Sequence, residues 1–152
     1  MTPQFHSLSV AQVLQETPDA ISILFDVPHQ LAPDYSFNQG QHLTLKATVA
    51  GQEVRRSYSI CSGVQEGQLK VAVKKVNGGV FSTWLHDQLK AGQTLEVMTP
   101  EGHFFTPLNA EQQKHYVAFV AGSGITPILS IIKTKLATGP KSKITLVYGY
   151  SR

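Results

Sequence analysis

Apolar and polar residues alternate along most of the first hundred positions. Leu8 and Val10, then Ile21, Ile23 and Phe25, Leu43 and Leu45, Val54 to Ile60, Leu69, Val71 and Val73, and later Leu95 and Val97 carry this pattern. Successive side chains leave a strand on opposite faces, so a period of two marks a strand with one buried face. Turn-prone groups separate the runs: Thr17-Pro18-Asp19, Pro33-Asp34, Ala50-Gly51, Glu66-Gly67, Gly78-Gly79 and Ala91-Gly92. About six strands at this spacing predict a mainly β unit over residues 1–107, a small antiparallel barrel or sandwich. One segment breaks the alternation. Phe81, Trp84, Leu85 and Leu89 recur at helical spacing, so FSTWLHDQL is expected to be one short helix, entered from the permissive pair Gly78-Gly79.

After Pro107 the pattern changes. Residues 108–114, LNAEQQK, read as a linker, and His115 to Ala121 form an apolar run of buried-strand length. Gly122-Ser123-Gly124 follows, then Thr126-Pro127 and the helical run ILSIIKTKLA. Proline suits a first helical turn, where its missing N–H costs nothing. Gly139-Pro140 stops that helix, and KITLVY makes a second apolar strand. Strand, turn, helix and strand over 115–152 predict the opening unit of a parallel α/β sheet. Two strands and one helix cannot cover both faces of such a sheet, so the chain is expected to be a fragment of a longer protein.

Composition narrows the class. Of 152 residues, 41% are hydrophobic and 15% charged, too apolar for a disordered chain. No uninterrupted apolar run reaches the ~18 residues of a membrane span. The start, MTPQFHSLSVAQ, lacks the layout of a signal peptide. A single cysteine, Cys61, excludes an internal disulfide and a multi-cysteine metal or iron–sulfur site within this chain. These features favour a soluble protein of a reducing compartment, the cytoplasm. The net charge of +3 is segregated: residues 1–107 hold seven Lys/Arg against nine Asp/Glu, and residues 108–152 six against one. That distribution argues against a nucleic-acid partner. Lys133, Lys135, Lys141 and Lys143 read as a solvated helix-and-loop face. His6, His29, His42, His86, His103 and His115 show no ligand-pair spacing, so no metal site is expected. No oligomeric state follows from these residues.

Three short elements carry chemistry. In Arg55-Arg56-Ser57-Tyr58-Ser59-Ile60, a strand puts Arg56 and Tyr58 on one face. A guanidinium binds phosphate through paired hydrogen bonds, and an aromatic ring beside it stacks on a planar ligand. Exposed cations beside a cross-strand tyrosine would give the same pattern. Gly78-Gly79-Val80-Phe81-Ser82-Thr83 runs into a helix start, whose free N–H groups and dipole favour an anion; a hairpin turn with a helix cap is the alternative. Gly122-Ser123-Gly124-Ile125-Thr126-Pro127 lies between a strand and a helix, the setting that makes a glycine loop informative, although Pro127 stands where the dinucleotide fingerprint has its third glycine.

Taken in order, the three elements resemble the ferredoxin–NADP⁺ reductase family. Arg56-Ser57-Tyr58-Ser59 is similar to its Arg-x-Tyr-Ser/Thr flavin motif, Gly79 to Ser82 to its FAD-pyrophosphate loop, and Ala121 to Pro127 to its pyridine-nucleotide loop. The resemblance covers essentially the whole chain. The runs GQHLTLKA, RRSYSIC, VAVKKVNGG, LEVMTPEGHF and AGSGITPILSII are very like those of reductase components of bacterial oxygenase systems, particularly in phenylacetate breakdown. The resemblance implies a six-stranded antiparallel Greek-key FAD-binding barrel with one short helix, followed by the first β-α-β unit of an NADP-binding domain. It implies FAD and NADPH as cofactors, an oxygenase component as electron acceptor, and a [2Fe–2S] centre only in a domain outside this chain. Arg56 would hold the FAD pyrophosphate and Tyr58 would stack on the isoalloxazine. Ser57 belongs to the same motif. Ser59 would act catalytically, hydrogen-bonding near flavin N5, although a regular strand points it away from Tyr58. Val73 and Lys74 would line the ribityl–phosphate path. Gly79, Val80, Phe81 and Ser82 would hold the pyrophosphate, and Gly122, Gly124, Ile125 and Thr126 would face the nicotinamide. Gln39-Gly40-Gln41 stands where the family often has Pro-Gly-Gln.

NADP rather than NAD is expected from Gly149-Tyr150-Ser151-Arg152. An NAD-preferring domain usually places a carboxylate after the second strand, at the carboxyl ends where ligands bind. This chain offers the Ser151 hydroxyl and the Arg152 guanidinium instead, groups suited to a 2′-phosphate. The rival class is a binding module without redox activity, a barrel gripping single-stranded nucleic acid or another ligand.

Overall fold

A computed structural model of the chain describes residues 2–149. Its first ninety-eight residues supply six strands: β1 (Phe5–Thr17), β2 (Ala20–Asp26), β3 (His42–Val49), β4 (Gln52–Ser59), β5 (Leu69–Lys74) and β6 (Thr94–Met98). All pair antiparallel in the order β4-β3-β6-β1-β2-β5. The sheet curls until its two ends touch at one corner, where Ile60 bridges Val71 and the Cys61 N–H donates to the Lys70 carbonyl over 2.9 Å. The expected six-stranded antiparallel architecture is therefore present, as a barrel left open along most of β4.

Period-two alternation builds its core. Leu8, Val10, Ile21, Ile23, Leu43, Leu45, Val71, Val73 and Val97 are each at most 1% exposed. Each such side chain contributes about 1.5–3 kcal/mol on burial. Helix α1 (Val80–Gln88) closes one end of the barrel with Phe81 and Leu85. Tyr35 closes another part of the wall. Its hydroxyl donates to the Val97 carbonyl over 2.6 Å and its ring meets His6 edge-on. Burial pushes the Tyr35 phenol up to about 12, and the nearby Asp34 charge adds to that rise against the backbone hydrogen bond at His6. The β3–β4 hairpin turns on Ala50 and Gly51, both at positive φ, the handedness that matches strand twist in two-residue hairpins.

Residues 99–114 form no strand longer than a single bridge and lead to β7 (His115–Ala121), α2 (Ile125–Thr138) and β8 (Lys143–Gly149). Strands β7 and β8 pair in parallel over their full length. Helix α2 covers one face. On the other, Val117, Phe119 and Val147 are 55%, 79% and 50% exposed, the incomplete coverage anticipated for one helix on two strands.

One expectation fails here. Lys133 is only partly solvated and Lys135 is buried. Lys133 pairs with Glu66 at 3.1 Å. Lys135 is 6% exposed, donates to the Pro107 carbonyl over 2.6 Å and lies 5.1 Å from the Tyr116 ring centroid. The charge count along the chain could not reveal this, because the partners are distant in sequence and are brought in by tertiary folding. Lys141 and Lys143 are exposed as anticipated.

Candidate cofactor-binding site

Strand β4 is the platform. Its register against β3 pairs Leu43 with Tyr58, Leu45 with Arg56, and Ala47 with Val54. Directly opposed residues share a face, so Arg56 and Tyr58 stand on the side of the buried Leu43 and Leu45, toward the open end of the barrel. Ser57 and Ser59 stand on the other face. The Ser57 and Thr44 hydroxyls meet there at 2.9 Å, and Ser59 lies opposite His42. Among the described residues only β3 flanks β4, leaving the far edge from Gln52 to Ser59 without a strand partner. A free edge offers N–H and C=O groups to whatever lies beside it.

The two motif side chains differ in environment. Arg56 is exposed and donates to the Arg55 carbonyl over 2.7 Å. Among the described residues no carboxylate pairs with it, whereas Arg55 pairs with Glu53 at 2.9 Å. Its charge is thus available to an anion. Tyr58 is half-buried, and its ring stacks on Phe81 with centroids 6.3 Å apart and planes inclined by 20°. Burial pushes the phenol up to about 12, against the nearby Arg56 charge, so the ring stays neutral through the physiological range.

Helix α1 begins with main-chain N–H groups that could accept an anion. Gly78 sits at φ +76° and turns the chain, while Gly79 caps the helix in extended conformation. A Cβ on Gly79 would lie 2.7 Å from Ser82 Oγ and 3.1 Å from the Val76 carbonyl oxygen, so glycine is required here for space. The N–H groups of Val80, Phe81 and Ser82 have no partner among the described residues. The Ser82 hydroxyl accepts from the Val76 N–H at 3.0 Å, fixing the loop. Phe81 itself is core, stacked between Tyr58 and Trp84, so what it offers an anion is its main-chain N–H. Val73 is likewise buried, with its carbonyl receiving the His86 Nε2–H at 3.0 Å. Neither its side chain nor its main chain presents surface to a ligand in this structure. Lys74 is exposed two strand positions from Ala72, beside Lys75, which pairs with Asp87.

At the carboxyl end of β7, Gly122 takes φ +57° and Gly122–Gly124 make a tight turn into α2. Thr126 and Pro127 lie in its first turn. The Tyr148 hydroxyl donates to the Gly122 carbonyl at 3.2 Å, tying this loop to β8. Ser151 and Arg152 lie outside the described residues. Cys61, two residues after Ser59, is buried; burial raises its thiol above the ordinary value despite Lys70 and Lys133 nearby, which leaves it a poor nucleophile. Among the described residues no three metal-capable side chains gather, and no helix is long and apolar enough to cross a membrane.

An unpaired guanidinium, a neutral stacking ring, a free strand edge and a helix end with unpartnered N–H groups are chemically suited to a planar, phosphate-bearing ligand. The family model described as "Oxidoreductase FAD-binding domain" matches residues 7–121. The chain belongs to this family of FAD-binding oxidoreductases. It is 53% identical over 145 residues to a component of the 1,2-phenylacetyl-CoA epoxidase of Escherichia coli (strain K12), covering 95% of this chain and 41% of that protein. It is 41% identical over 143 residues to the ferredoxin reductase component of 3-ketosteroid-9-alpha-monooxygenase from Rhodococcus rhodochrous, covering 93% and 40%. The chain thus spans about two-fifths of the length of these relatives. Among solved structures, a cytochrome P450 reductase of Amycolatopsis, GcoB, superposes with TM-score 0.82 at 30% identity over all of this chain and 45% of that one. Phthalate dioxygenase reductase superposes with TM-score 0.79 at 31% identity, over 97% and 44%.

Proposed function

We propose that this chain is the flavin-binding part of a reductase that takes electrons from NADPH through FAD to an iron–sulfur centre serving an oxygenase, in phenylacetate breakdown. The observation that carries the reading is the pairing of Arg56 and Tyr58 on the open side of β4, beside the unpartnered N–H groups at the start of α1. The ferredoxin reductase component among the relatives supports it further, as does the 53% identity to a component of the phenylacetyl-CoA epoxidase.

Residues 1–107 form the flavin barrel in this reading, 108–114 the linker, and 115–152 the start of the nucleotide domain. Bound FAD supplies the exchange between two-electron and one-electron chemistry. Every other part of the work falls to the protein. Arg56 and the N–H groups of Val80, Phe81 and Ser82 hold the pyrophosphate, with Lys74 adding positive charge along its approach. Tyr58 would stack on the isoalloxazine and keep water from that face. The free edge of β4 would offer main-chain donors and acceptors to the bound cofactor. Ser59 and Ser57 stand on the far face of β4, so the Ser59 hydroxyl would reach flavin N5 only past the edge of the strand. Gly122, Gly124, Ile125 and Thr126 receive the nicotinamide, and Ser151 with Arg152 the 2′-phosphate. The iron–sulfur centre lies in a separate domain or protein, since one cysteine cannot ligate it.

Absorbance tests the reading. Purified protein incubated with FAD and desalted is expected to keep flavin bands near equimolar occupancy, and to lose them only slowly on addition of NADPH without oxygen, because residues 115–152 hold only the start of a nucleotide domain. Colourless protein after desalting contradicts the flavin assignment. In the reductase carrying its complete nucleotide domain, flavin that NADH bleaches as fast as NADPH contradicts the assignment of NADP.

A further inference from the structure

Helix α2 is gripped by three consecutive side chains. Lys133 Nζ lies 3.1 Å from Glu66 Oε1. The Thr134 hydroxyl accepts from the Val64 N–H at 3.0 Å, and the Gln65 amide donates to the Lys133 carbonyl at 3.3 Å. Lys135 reaches the other way and donates to the Pro107 carbonyl over 2.6 Å. Successive helical residues point about 100° apart, so the triplet meets two separate pieces of the barrel. The turn Val64–Glu66 follows β4, five residues after Ser59. The segment ending at Pro107 follows β6 and is fastened to β3, where His42 and Glu101 exchange main-chain hydrogen bonds. That segment packs tightly as well: a Cβ on Gly40 would lie 2.0 Å from the Phe104 carbonyl oxygen and 3.2 Å from Ile131.

The chemistry of the contacts is costly unless geometry is their purpose. Thr134 is 1% exposed and Lys135 6%. A buried ammonium held only by a carbonyl and a ring face stabilises little, since burial of a charge without a counterion is unfavourable. Apolar residues would pack α2 as well, but they would let it slide and turn. Hydrogen bonds on two sides fix both its rotation and its position along its axis.

We infer that Lys133, Thr134 and Lys135 are positioning residues, a clamp that sets the loop 122–126 relative to the flavin strand β4. The inference rests on the proposed flavin and nicotinamide sites. Thr134 lies nine residues from Ile125, about 14 Å along the helix. A tilt of about 10° about the clamp would move the loop by about 2 Å. Misplacement of reacting groups by about 1 Å can slow a reaction about a hundredfold. The clamp thus acts on the rate of electron transfer from nicotinamide to flavin without touching either.

The test uses FAD-loaded protein, extended to its complete nucleotide domain for the rate measurement, with Thr134→Val, Thr134→Ser, Lys135→Met and, as an exposed control, Lys141→Met. A dye on Ser123→Cys, in a Cys61→Ala background, reports its distance from FAD by time-resolved energy transfer, and anaerobic mixing with NADPH reports the maximal rate of flavin reduction. Thr134→Val and Lys135→Met are expected to bind FAD within about twofold of wild type, to broaden the distance distribution, and to lower the maximal rate about tenfold or more. Thr134→Ser and Lys141→Met are expected to match wild type. A narrow, unshifted distance in both Thr134→Val and Lys135→Met overturns the clamp, whatever the rate. An unchanged rate with a broadened distance overturns its role in positioning the reaction. Failure of the wild type to take up FAD contradicts the flavin reading instead, and is told apart by the absent flavin signal.

Discussion

The ring of Tyr58 stacks on that of Phe81 with centroids 6.3 Å apart. This joins the flavin-motif strand to the first turn of α1, and Phe81 passes the contact on to Trp84 at 6.0 Å. The Tyr58 ring and the start of α1 are thereby one packed unit. Phe81→Ala should cost about 3–5 kcal/mol of stability, the usual range for a buried phenylalanine. Trp84 is the single tryptophan, so denaturant unfolding followed by its emission measures the loss. A loss under about 1 kcal/mol, far below that range, would show that Tyr58 and Trp84 do not depend on Phe81.

Gly79 and Gly78 should separate on substitution. Alanine at 79 meets Ser82 Oγ and the Val76 carbonyl, and relieving that contact breaks the bond from Val76 N–H to Ser82. Gly79→Ala should cost about 1–3 kcal/mol and weaken FAD binding, because the first-turn N–H groups move. Gly78 has open space but a φ of +76°, so Gly78→Ala should cost about 1–2 kcal/mol through conformation alone. Equal FAD affinity for Gly79→Ala and wild type would remove this turn from the pyrophosphate site.

Acid should loosen the grip on α2. Partial burial raises the Glu66 pKa, but the Lys133 ammonium, the Gly63 main chain and the Lys70 charge outweigh that and hold the carboxyl below its ordinary value of 4.5. A group with a lowered folded pKa contributes fully above the ordinary value and loses its contribution as pH falls through the lowered one. Stability should therefore drop below about pH 4.5, and Lys133→Met should flatten that part of the profile. Thermal melts from about pH 6 to about pH 3 span this window; parallel profiles for the two proteins would contradict the assignment.

In the proposed reading, cofactor choice rests on Arg152. In the reductase carrying its complete nucleotide domain, Arg152→Ala should raise KM for NADPH about tenfold, a loss near ~1.4 kcal/mol, and leave NADH nearly unchanged. Steady-state kinetics with both nucleotides decide it. An equal effect on both, or on neither, would remove Arg152 from the 2′-phosphate.

Local pattern made much of this architecture legible, and tertiary contacts made the rest opaque. The run Val80–Gln88 and the strand His115–Ala121 follow from spacing alone and fall within a residue of expectation. The face shared by Arg56 and Tyr58 follows from strand period and is realised in the register with β3. Strand β1 runs to Thr17, well past Val10, because the register shift between Val10 and Gln12 hides its continuation from a period of two. The bond from Tyr35 to Val97 spans 62 residues, and nothing near Tyr35 announces it. Thr134 and Lys135 look like helix-surface polars until the turn at Val64 and the segment at Pro107 are folded against them. The family match extends through β7 to residue 121, beyond the boundary that composition suggests at 107.

The central claim is that Arg56 and the start of α1 hold the FAD pyrophosphate, and an FAD titration of wild type and Arg56→Ala tests it most directly. Flavin fluorescence on equilibrium titration should give saturable one-to-one binding to the wild type. Arg56→Ala should weaken it by about 1.5–3 kcal/mol, the value of a charge-assisted hydrogen-bonded contact, with an unchanged unfolding midpoint in the absence of FAD. Equal affinity for the two proteins, or no saturable binding to the wild type, would contradict the claim.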